Sequence, residues 1–418
     1  MDKKIIKILK HSYDTVPYYN ELFKKNNLDV EKIETYEDFQ QIPLLRKDDI
    51  NEQKHNFVSG LYSVDKLHEE YTSGSTGEPV CLYKSTADKI NMGKAIWKIR
   101  NQRYGITAKD PYCRFHMVLS DENDESYVPP IIEEDKNVSM SLLHLTDTYI
   151  MEFYKLLKKN EVKWIFGMPS ALFIIAEFIT KNQLPPIESI KYIELSGEYR
   201  TELMKQRIAQ AFDCDVADFY GLRETYGAAI SCKSGKLHCV DSNVFLEVLD
   251  ENGKVLPDGE EGLIYITSVN NFAMPLIRYA TGDRGRLYRN VECECGECGN
   301  ILDLSSTRTV DYIEYEDGNK INSAVVYCAL VEVNKVLGDV IVQFQIRQKS
   351  FTDFLVKIKL LDQDVSIEQI KEIFEEYVTK FGMRKVNWNY EIVESIESSS
   401  KSGKLKYFIK EEFYKEIK

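Results

Sequence analysis

Two stretches of the sequence pack thiols and an imidazole closely enough to bind a metal. "CKSGKLHC" carries Cys232 and His238, and "CECGECG" carries Cys293, Cys295 and Cys298. Thiolate sulfur and imidazole nitrogen are the usual ligands of tetrahedral zinc, and a Cys₃His set would close the coordination sphere, which makes the role structural. Generic knuckle spacing uses Cys295 and Cys298, so the spacing alone leaves the ligand set open. Cys239, next to His238, is expected to point elsewhere.

A second chemistry is suggested by "YTSGSTGEPV" at 71–80. Gly74 and Gly77 would let backbone N–H groups converge on an anion, and Thr72, Ser73, Ser75 and Thr76 add hydroxyl donors. A plain polar turn has the same composition, and the stretch alone does not choose between them. It is not a Walker loop. No Lys follows Gly77, and the Gly-Lys pairs at 93–94, 235–236, 253–254 and 403–404 lack the motif's Ser or Thr.

These residues need elements to position them. "KWIFGM" reads as a strand closing at Gly167, and Pro169 then opens the helix "PSALFIIAEFITKNQ". "IKYIELSG" is a second strand, "TELMKQRIAQAF" a second helix and "DVADFYG" a third strand. The β-α-β-α-β succession predicts parallel strands covered by helices, with ligands bound beyond the carboxyl ends of the strands. There lie Gly167, then Ser196-Gly197-Glu198, then Tyr220-Gly221 with Glu224 just after.

"LHEEYT" and "VCLYKS" flank the Ser/Thr/Gly stretch as strands, which makes it a hairpin loop. Helical apolar spacing over 3–24 predicts one peripheral helix. "NVFLEVLDENGKVL" carries an Asn-Gly hairpin signal. Near Arg308 the texture changes, and 312–418 alternates strands with the amphipathic helix "SIEQIKEIFEEYVTKF", a small α+β domain.

The chain has 418 residues, too many for one ordinary core, and a formal net charge of 54 − 67 = −13. Such a surface repels nucleic acid and anionic membrane, so neither is expected as a general partner. The start "MDKKIIKILKHSYDTVPYYN" has no long apolar core or small-residue cleavage site, and the longest apolar run, "SAVVYCALV", is far short of a membrane span. A cytoplasmic chain is expected, with its nine cysteines as thiols or metal ligands.

In order, "YTSGSTGEPV" at 71–80, "YGLRE" at 220–224, "RYATGD" at 278–283 and "SKSGKLK" at 400–406 resemble the motifs of the adenylate-forming (AMP-forming acyl-CoA synthetase) superfamily. The resemblance is strongest to the phenylacetate–CoA ligase family and its capsular-polysaccharide-biosynthesis relatives. "STRTVD" at 306–311 fits the junction between that family's domains. The resemblance implies an α/β fold with a large N-terminal adenylating domain over 1–307, built on a parallel β-α-β core plus a β-rich subdomain. A mobile C-terminal domain over 308–418 would carry the catalytic lysine.

The activity it implies is attack of a carboxylate on the α-phosphate of ATP, loss of pyrophosphate, and acyl transfer to a thiol, most often that of coenzyme A. By the same resemblance, Thr72, Ser73, Gly74, Ser75, Thr76 and Gly77 hold the β- and γ-phosphates. Tyr220 stacks on adenine, and Gly197, Glu198 and Gly221 line that pocket. Glu224 holds Mg²⁺, Asp283 accepts the ribose hydroxyls, Arg308 reaches the ribose or phosphates, and Lys404 bridges the α-phosphate and the substrate carboxylate. The zinc ligands become Cys232, His238, Cys293 and Cys295, with Cys298 the alternative. Two departures stand out: Arg223 replaces the Thr or Ser common before the glutamate, and Val80 stands where many adenylating enzymes carry Lys.

For the acid, Phe115, His116, Phe166, Gly167 and Tyr199 are the expected pocket walls, a mix suited to a small, aromatic carboxylic acid. A carrier-protein thiol, an amine or a hydroxyl is the alternative acceptor. The alternative of another class is a non-catalytic, zinc-stabilised scaffold on the same fold. A homodimer is the default assembly.

Overall fold

The computed structural model describes residues 1–72, 80–116, 128–142, 145–197, 200, 202–308, 312–317, 319–338, 340–360, 365–380, 382–394, 396 and 407–411. The chain opens with two helices, α1 (Lys3–Thr15) and α2 (Pro17–Lys25), where apolar spacing predicts one. Val16 is extended and Pro17 occupies the first position of α2; proline has no N–H to continue a helix, so the break falls there. The pair is not peripheral. Ile8 and Phe23 are fully buried, and the Tyr19 hydroxyl donates to the Pro275 carbonyl at 3.0 Å and accepts from Ile277 N–H at 3.0 Å.

Two short helices, α3 (Tyr36–Gln40) and α4 (Lys47–Glu52), lead to a hairpin of β1 (His68–Tyr71) and β2 (Cys81–Lys84). The hairpin forms its own two-stranded antiparallel sheet. Helix α5 (Thr86–Tyr104) follows at once, held by a reciprocal Ser85–Asp88 capping box and ended by Gly105 at φ 67°.

Next come β3 (Tyr112–His116), β4 (Ile131–Glu134), β5 (Asn137–Ser141) and α6 (Asp147–Lys159). The expected alternation follows: β6 (Trp164–Gly167), α7 (Pro169–Lys181), β7 (Tyr192–Leu195), α8 (Glu202–Phe212) and β8 (Asp215–Tyr220). Strands β6, β7 and β8 are parallel neighbours, joined by parallel β3 and β5. The β-rich part is antiparallel: β9 (Ala229–Ser231), β10 (Leu237–Cys239), β11 (Val244–Leu249), β12 (Glu261–Ser268), β13 (Tyr279–Glu292) and β14 (Cys298–Arg308). All of these join one twelve-stranded sheet in the order β11-β12-β13-β14-β10-β9-β8-β7-β6-β3-β5-β4.

The Asn-Gly signal at 252–253 does mark a turn, with Gly253 at φ 82°. The return run is only an isolated bridge, Leu249 to Val255, because β11 pairs with β12 instead.

The C-terminal domain contains the β15 (Tyr312–Glu314) and β16 (Lys320–Asn322) hairpin and α9 (Ala324–Leu337). It continues with β17 (Ile341–Gln348), β18 (Asp353–Leu360), α10 (Ile367–Lys380), β19 (Asn387–Ile392) and β20 (Phe408–Lys410). Its four-stranded sheet, β19-β18-β17-β20, packs with the two helices around Leu330, Ile346, Phe354, Val356 and Phe374. Among the described residues no helix is long and apolar enough to cross a membrane.

Candidate nucleotide site and metal centre

The carboxyl end of β8 delivers Tyr220 and then a turn over 221–227 that carries Glu224. The Tyr220 hydroxyl donates to Asp283 Oδ2 at 2.8 Å. Beside this pair the buried Tyr279 lies close enough to Glu224 for the two groups to influence each other's titration. Glu224 and Asp283 are both buried and close enough to repel. Burial pushes the Glu224 carboxyl up; its backbone hydrogen bond, the Lys84 charge and Tyr279 pull down without cancelling that, and Asp283 adds to the rise. A divalent cation would reverse this balance by favouring the ionised carboxylate, so the donor chemistry fits a hard cation here.

Asp283 lies on β13, opposite Arg308 on β14 in the antiparallel register. The backbone thus brings the expected ribose acid and the expected hinge arginine face to face. Arg278, at the start of the same motif, is buried and structural. It meets Glu247 at 3.1 Å through Nε and again through Nη2, and it donates to the carbonyls of Gln40 and Ile42.

The strand-like flanks of the Ser/Thr/Gly stretch do pair with each other, as the β1–β2 hairpin. Thr72 closes its base: Thr72 N–H donates to Val80 O at 3.0 Å, and Val80 N–H donates to the Thr72 hydroxyl at 2.9 Å. Ser73, Gly74, Ser75, Thr76 and Gly77 lie outside the described residues, as do Glu198, Tyr199 and Lys404. Gly197, at the end of β7, has φ 91°, a backbone that favours glycine. At Gly221 a Cβ would sit 2.5 Å from the Phe219 ring.

The expected acid-pocket walls do not all gather. Alternation along β3 and β6 sends Phe115 and Gly167 to the face covered by α6 and α7, where a Cβ on Gly167 would meet the Phe115 ring at 2.6 Å. Phe166 points to the α5 face, 5.8 Å from the Phe219 ring. His116 shares that face by alternation, and its Nδ1 is 2.7 Å from the Ser139 hydroxyl. Phe115 and Phe166 therefore belong to opposite sides of the sheet.

The expected metal ligands converge. Ligand atoms of Cys232, His238, Cys293 and Cys295 all lie within 4.8 Å of one another. Cys232 Sγ is 3.8 Å from Cys293 Sγ, and Cys295 Sγ is 3.5 Å from His238 Nε2. A tetrahedral zinc, with Zn–S about 2.3 Å and Zn–N about 2.0–2.1 Å, spaces its sulfurs about 3.8 Å apart and sulfur from nitrogen about 3.5 Å. The four groups fit that ion. Burial and the Arg103 charge lower the His238 pKa, favouring the neutral imidazole a metal needs. Cys298, exposed at the start of β14, and Cys239 are not in the cluster. Arg103 of α5 holds the ligand turn through Glu297 at 2.7 and 2.6 Å and donates to Ile230 O at 2.8 Å.

Several residues here escape sequence reasoning. Tyr279 had a visible signal, its place inside "RYATGD". Lys84, Glu70, Tyr226 and Asn243 had none: Lys84–Arg223 and Tyr226–Glu70 cross long stretches of chain, and Lys84–Glu70 and Asn243–Thr225 depend on how the hairpin and the turn fold.

A family model of AMP-binding enzymes matches residues 69–274, and a CapK C-terminal domain model matches 313–411. The chain is 23% identical over 304 residues to a phenylacetate-coenzyme A ligase of Thermus thermophilus, covering 71% of this chain and 66% of that one. Against the Pseudomonas putida enzyme of the same name it is 22% identical, covering 67% and 64%. It thus spans just under two thirds of the length of these ligases. Protein CapK of Staphylococcus aureus is 22% identical over 403 residues, covering 94% and 84%. Among solved structures, 2-hydroxyisobutyryl-CoA ligase in complex with an acyl-AMP superposes with a TM-score of 0.75 at 17% identity, covering 98% of this chain and 88% of that one. O-succinylbenzoate coenzyme A synthetase of Bacillus subtilis, in complex with AMP, gives 0.51 at 18% identity, covering 81% and 67%. Matched in both halves and carrying the ordered motifs, the chain belongs to the adenylate-forming superfamily, with phenylacetate–CoA ligase-like and CapK-type relatives.

Proposed function

We propose that the protein is an ATP-dependent, AMP-forming carboxylate ligase. The carboxylate oxygen attacks the α-phosphorus, the bond to the bridging oxygen breaks, and pyrophosphate leaves. A thiol sulfur, most simply that of coenzyme A, then attacks the acyl carbon of the adenylate and AMP leaves. The observation that carries this reading is the convergence at the end of β8 of the Tyr220–Asp283 hydrogen bond and a second buried carboxylate, Glu224.

In this reading Thr72 to Gly77 cradle the leaving phosphates, Tyr220 stacks on adenine, and Gly197, Glu198 and Gly221 line the base pocket. Asp283 accepts the ribose hydroxyls, and Glu224 holds Mg²⁺, which screens the phosphate charge. Arg308 marks the boundary between an adenylating domain over 1–307 and a mobile domain over 308–418. That second domain brings Lys404 to the α-phosphate. Zinc on Cys232, His238, Cys293 and Cys295 is structural, since four protein ligands leave no open position. Reduced thiols there suit a cytoplasmic protein. The acid is small and aromatic, received on the α5 face beside Phe166 and His116.

A second reading of the acceptor follows the resemblance to the capsular-polysaccharide-biosynthesis branch, and the CapK relative, which says nothing itself of an acceptor, matches 94% of the chain. A carrier-protein thiol, an amine or a hydroxyl then takes the acyl group in place of coenzyme A.

The test is nucleotide product analysis with pyrophosphate release over a panel of aromatic, aliphatic and amino acids. Acid-dependent AMP and pyrophosphate are expected. ADP would mean a phosphotransferase, and ATP binding without turnover across the panel would mean a scaffold.

A further inference from the structure

Lys84 is the last residue of β2, and its side chain is wholly buried. Its ammonium donates to Glu70 Oε2 at 2.8 Å, across the hairpin, and to the backbone carbonyl of Arg223 at 2.6 Å. It also lies 4.7 Å from the centre of the Tyr226 ring, and the Tyr226 hydroxyl donates to the other Glu70 oxygen at 2.6 Å. Lys89 adds a second cation 3.6 Å from Glu70. One carboxylate and one ammonium therefore join the strands that bear the Ser/Thr/Gly loop to the turn that bears Glu224.

That turn is held from its other side as well. Buried Asn243 donates to the carbonyls of Thr225 at 2.6 Å and Gly227 at 2.8 Å. Between these anchors Tyr226 has φ 65°, a conformation bulky side chains avoid unless their surroundings impose it. An apolar side chain of similar length would fill the Lys84 site without desolvating a charge. It could not bind a carboxylate and a carbonyl at once.

We propose that Lys84 is a positioning residue, clamping the β1–β2 strands against the 222–227 turn so that Glu224 and those strands hold one fixed spacing beside a Mg²⁺–nucleotide. This rests on the nucleotide site proposed above. Neither Lys84 nor Glu70 touches substrate in this role; they act through Arg223 and Tyr226.

The test is calorimetric titration with ATP, with and without Mg²⁺, of wild type, Lys84→Met, Glu70→Gln/Lys84→Met and Tyr226→Phe. Hydrogen exchange of the 68–84 and 222–227 amides is followed without ligand. Lys84→Met is expected to weaken Mg·ATP binding about tenfold or more, the worth of one charged hydrogen bond, and metal-free ATP by under about threefold. Its hairpin and turn amides should exchange faster. The double variant, relieved of the orphan carboxylate, should regain melting temperature but not Mg·ATP affinity. Recovery of both together would make the clamp merely structural and overturn the proposal.

Should Lys84→Met fail to fold, Tyr226→Phe decides. It loses one hydroxyl, and about threefold weaker Mg·ATP binding at an unchanged melting temperature is expected. Unchanged affinity in the folded variants, beside a wild type that binds, overturns the clamp alone. A wild type that binds no Mg·ATP overturns the nucleotide site and the clamp with it.

Discussion

The Tyr220 hydroxyl donates to Asp283 Oδ2 at 2.8 Å, joining the end of β8 to the start of β13. A carboxylate offers acceptor sites on both oxygens, which suits Asp283 to the proposed role of receiving the ribose hydroxyls. Asp283→Ala should weaken ATP binding by about 10–100-fold, the range for hydrogen bonds to a charged group. It should also abolish discrimination against 2′-deoxy-ATP. Tyr220→Phe keeps the ring and should change affinity by about threefold or less. Calorimetry with both nucleotides measures this, and full ribose discrimination in Asp283→Ala would remove the assigned role.

Lys404 serves only the first half-reaction in the proposed mechanism. Lys404→Ala should lower acid-dependent pyrophosphate exchange by about a thousandfold or more, while transfer from a supplied acyl-adenylate stays within about threefold of wild type. Equal loss of both steps, in single-turnover assays, would contradict the assignment.

The metal centre makes a sharper distinction between cysteines. Purified protein should hold about one zinc per chain, Cys295→Ser should hold close to none, and Cys298→Ser should keep it. Elemental analysis reads the ratio and calorimetry the accompanying fall in melting temperature. Zinc retained by Cys295→Ser and lost by Cys298→Ser would shift the ligand set.

Acid should release one identifiable contribution to stability. Burial pushes the Asp218 carboxyl up, but hydrogen bonds from Arg200 and the charge of Lys205 outweigh it, and the pKa falls below the ordinary value. Arg200 Nε is 2.6 Å and Lys205 Nζ 2.9 Å from its oxygens. A depressed folded pKa stabilises above the unfolded value of about 3.9 and is lost as pH falls through the folded value. Asp218→Asn should therefore cost about 1–3 kcal/mol at pH 7, with the gap to wild type closing below about pH 4. Melting curves across that window check it; a gap that widens in acid would reverse the sign.

How far the sequence can be read follows from the range of each interaction. The β6-α7-β7-α8-β8 run is legible because apolar periodicity and Pro169 act within a few residues. The Cys/His cluster is legible as chemistry; spacing alone leaves Cys298 open, the resemblance favours Cys293 and Cys295, and the backbone path brings those two together with Cys232 and His238. The helix break at Pro17 has a local signal that the apolar spacing over 3–24 masks. Phe115 and Phe166 read alike as pocket walls, and only strand alternation within the folded sheet puts them on opposite faces. The Lys84–Arg223 contact joins residues 139 apart, beyond any local pattern.

The β13–β14 hairpin has the expected metal turn at one end and the Asp283–Arg308 pair at the other. Its register shifts between Asp283 and Gly285 and between Tyr288 and Val291, so the two strands are not paired rung for rung along their length. Two of the four proposed zinc ligands, Cys293 and Cys295, sit on that turn, and an ion bound there would work as the stop of a zipper, setting where pairing starts. Metal supply during folding would then bear on whether Asp283 ends up opposite Arg308, the proposed ribose acid opposite the proposed domain boundary.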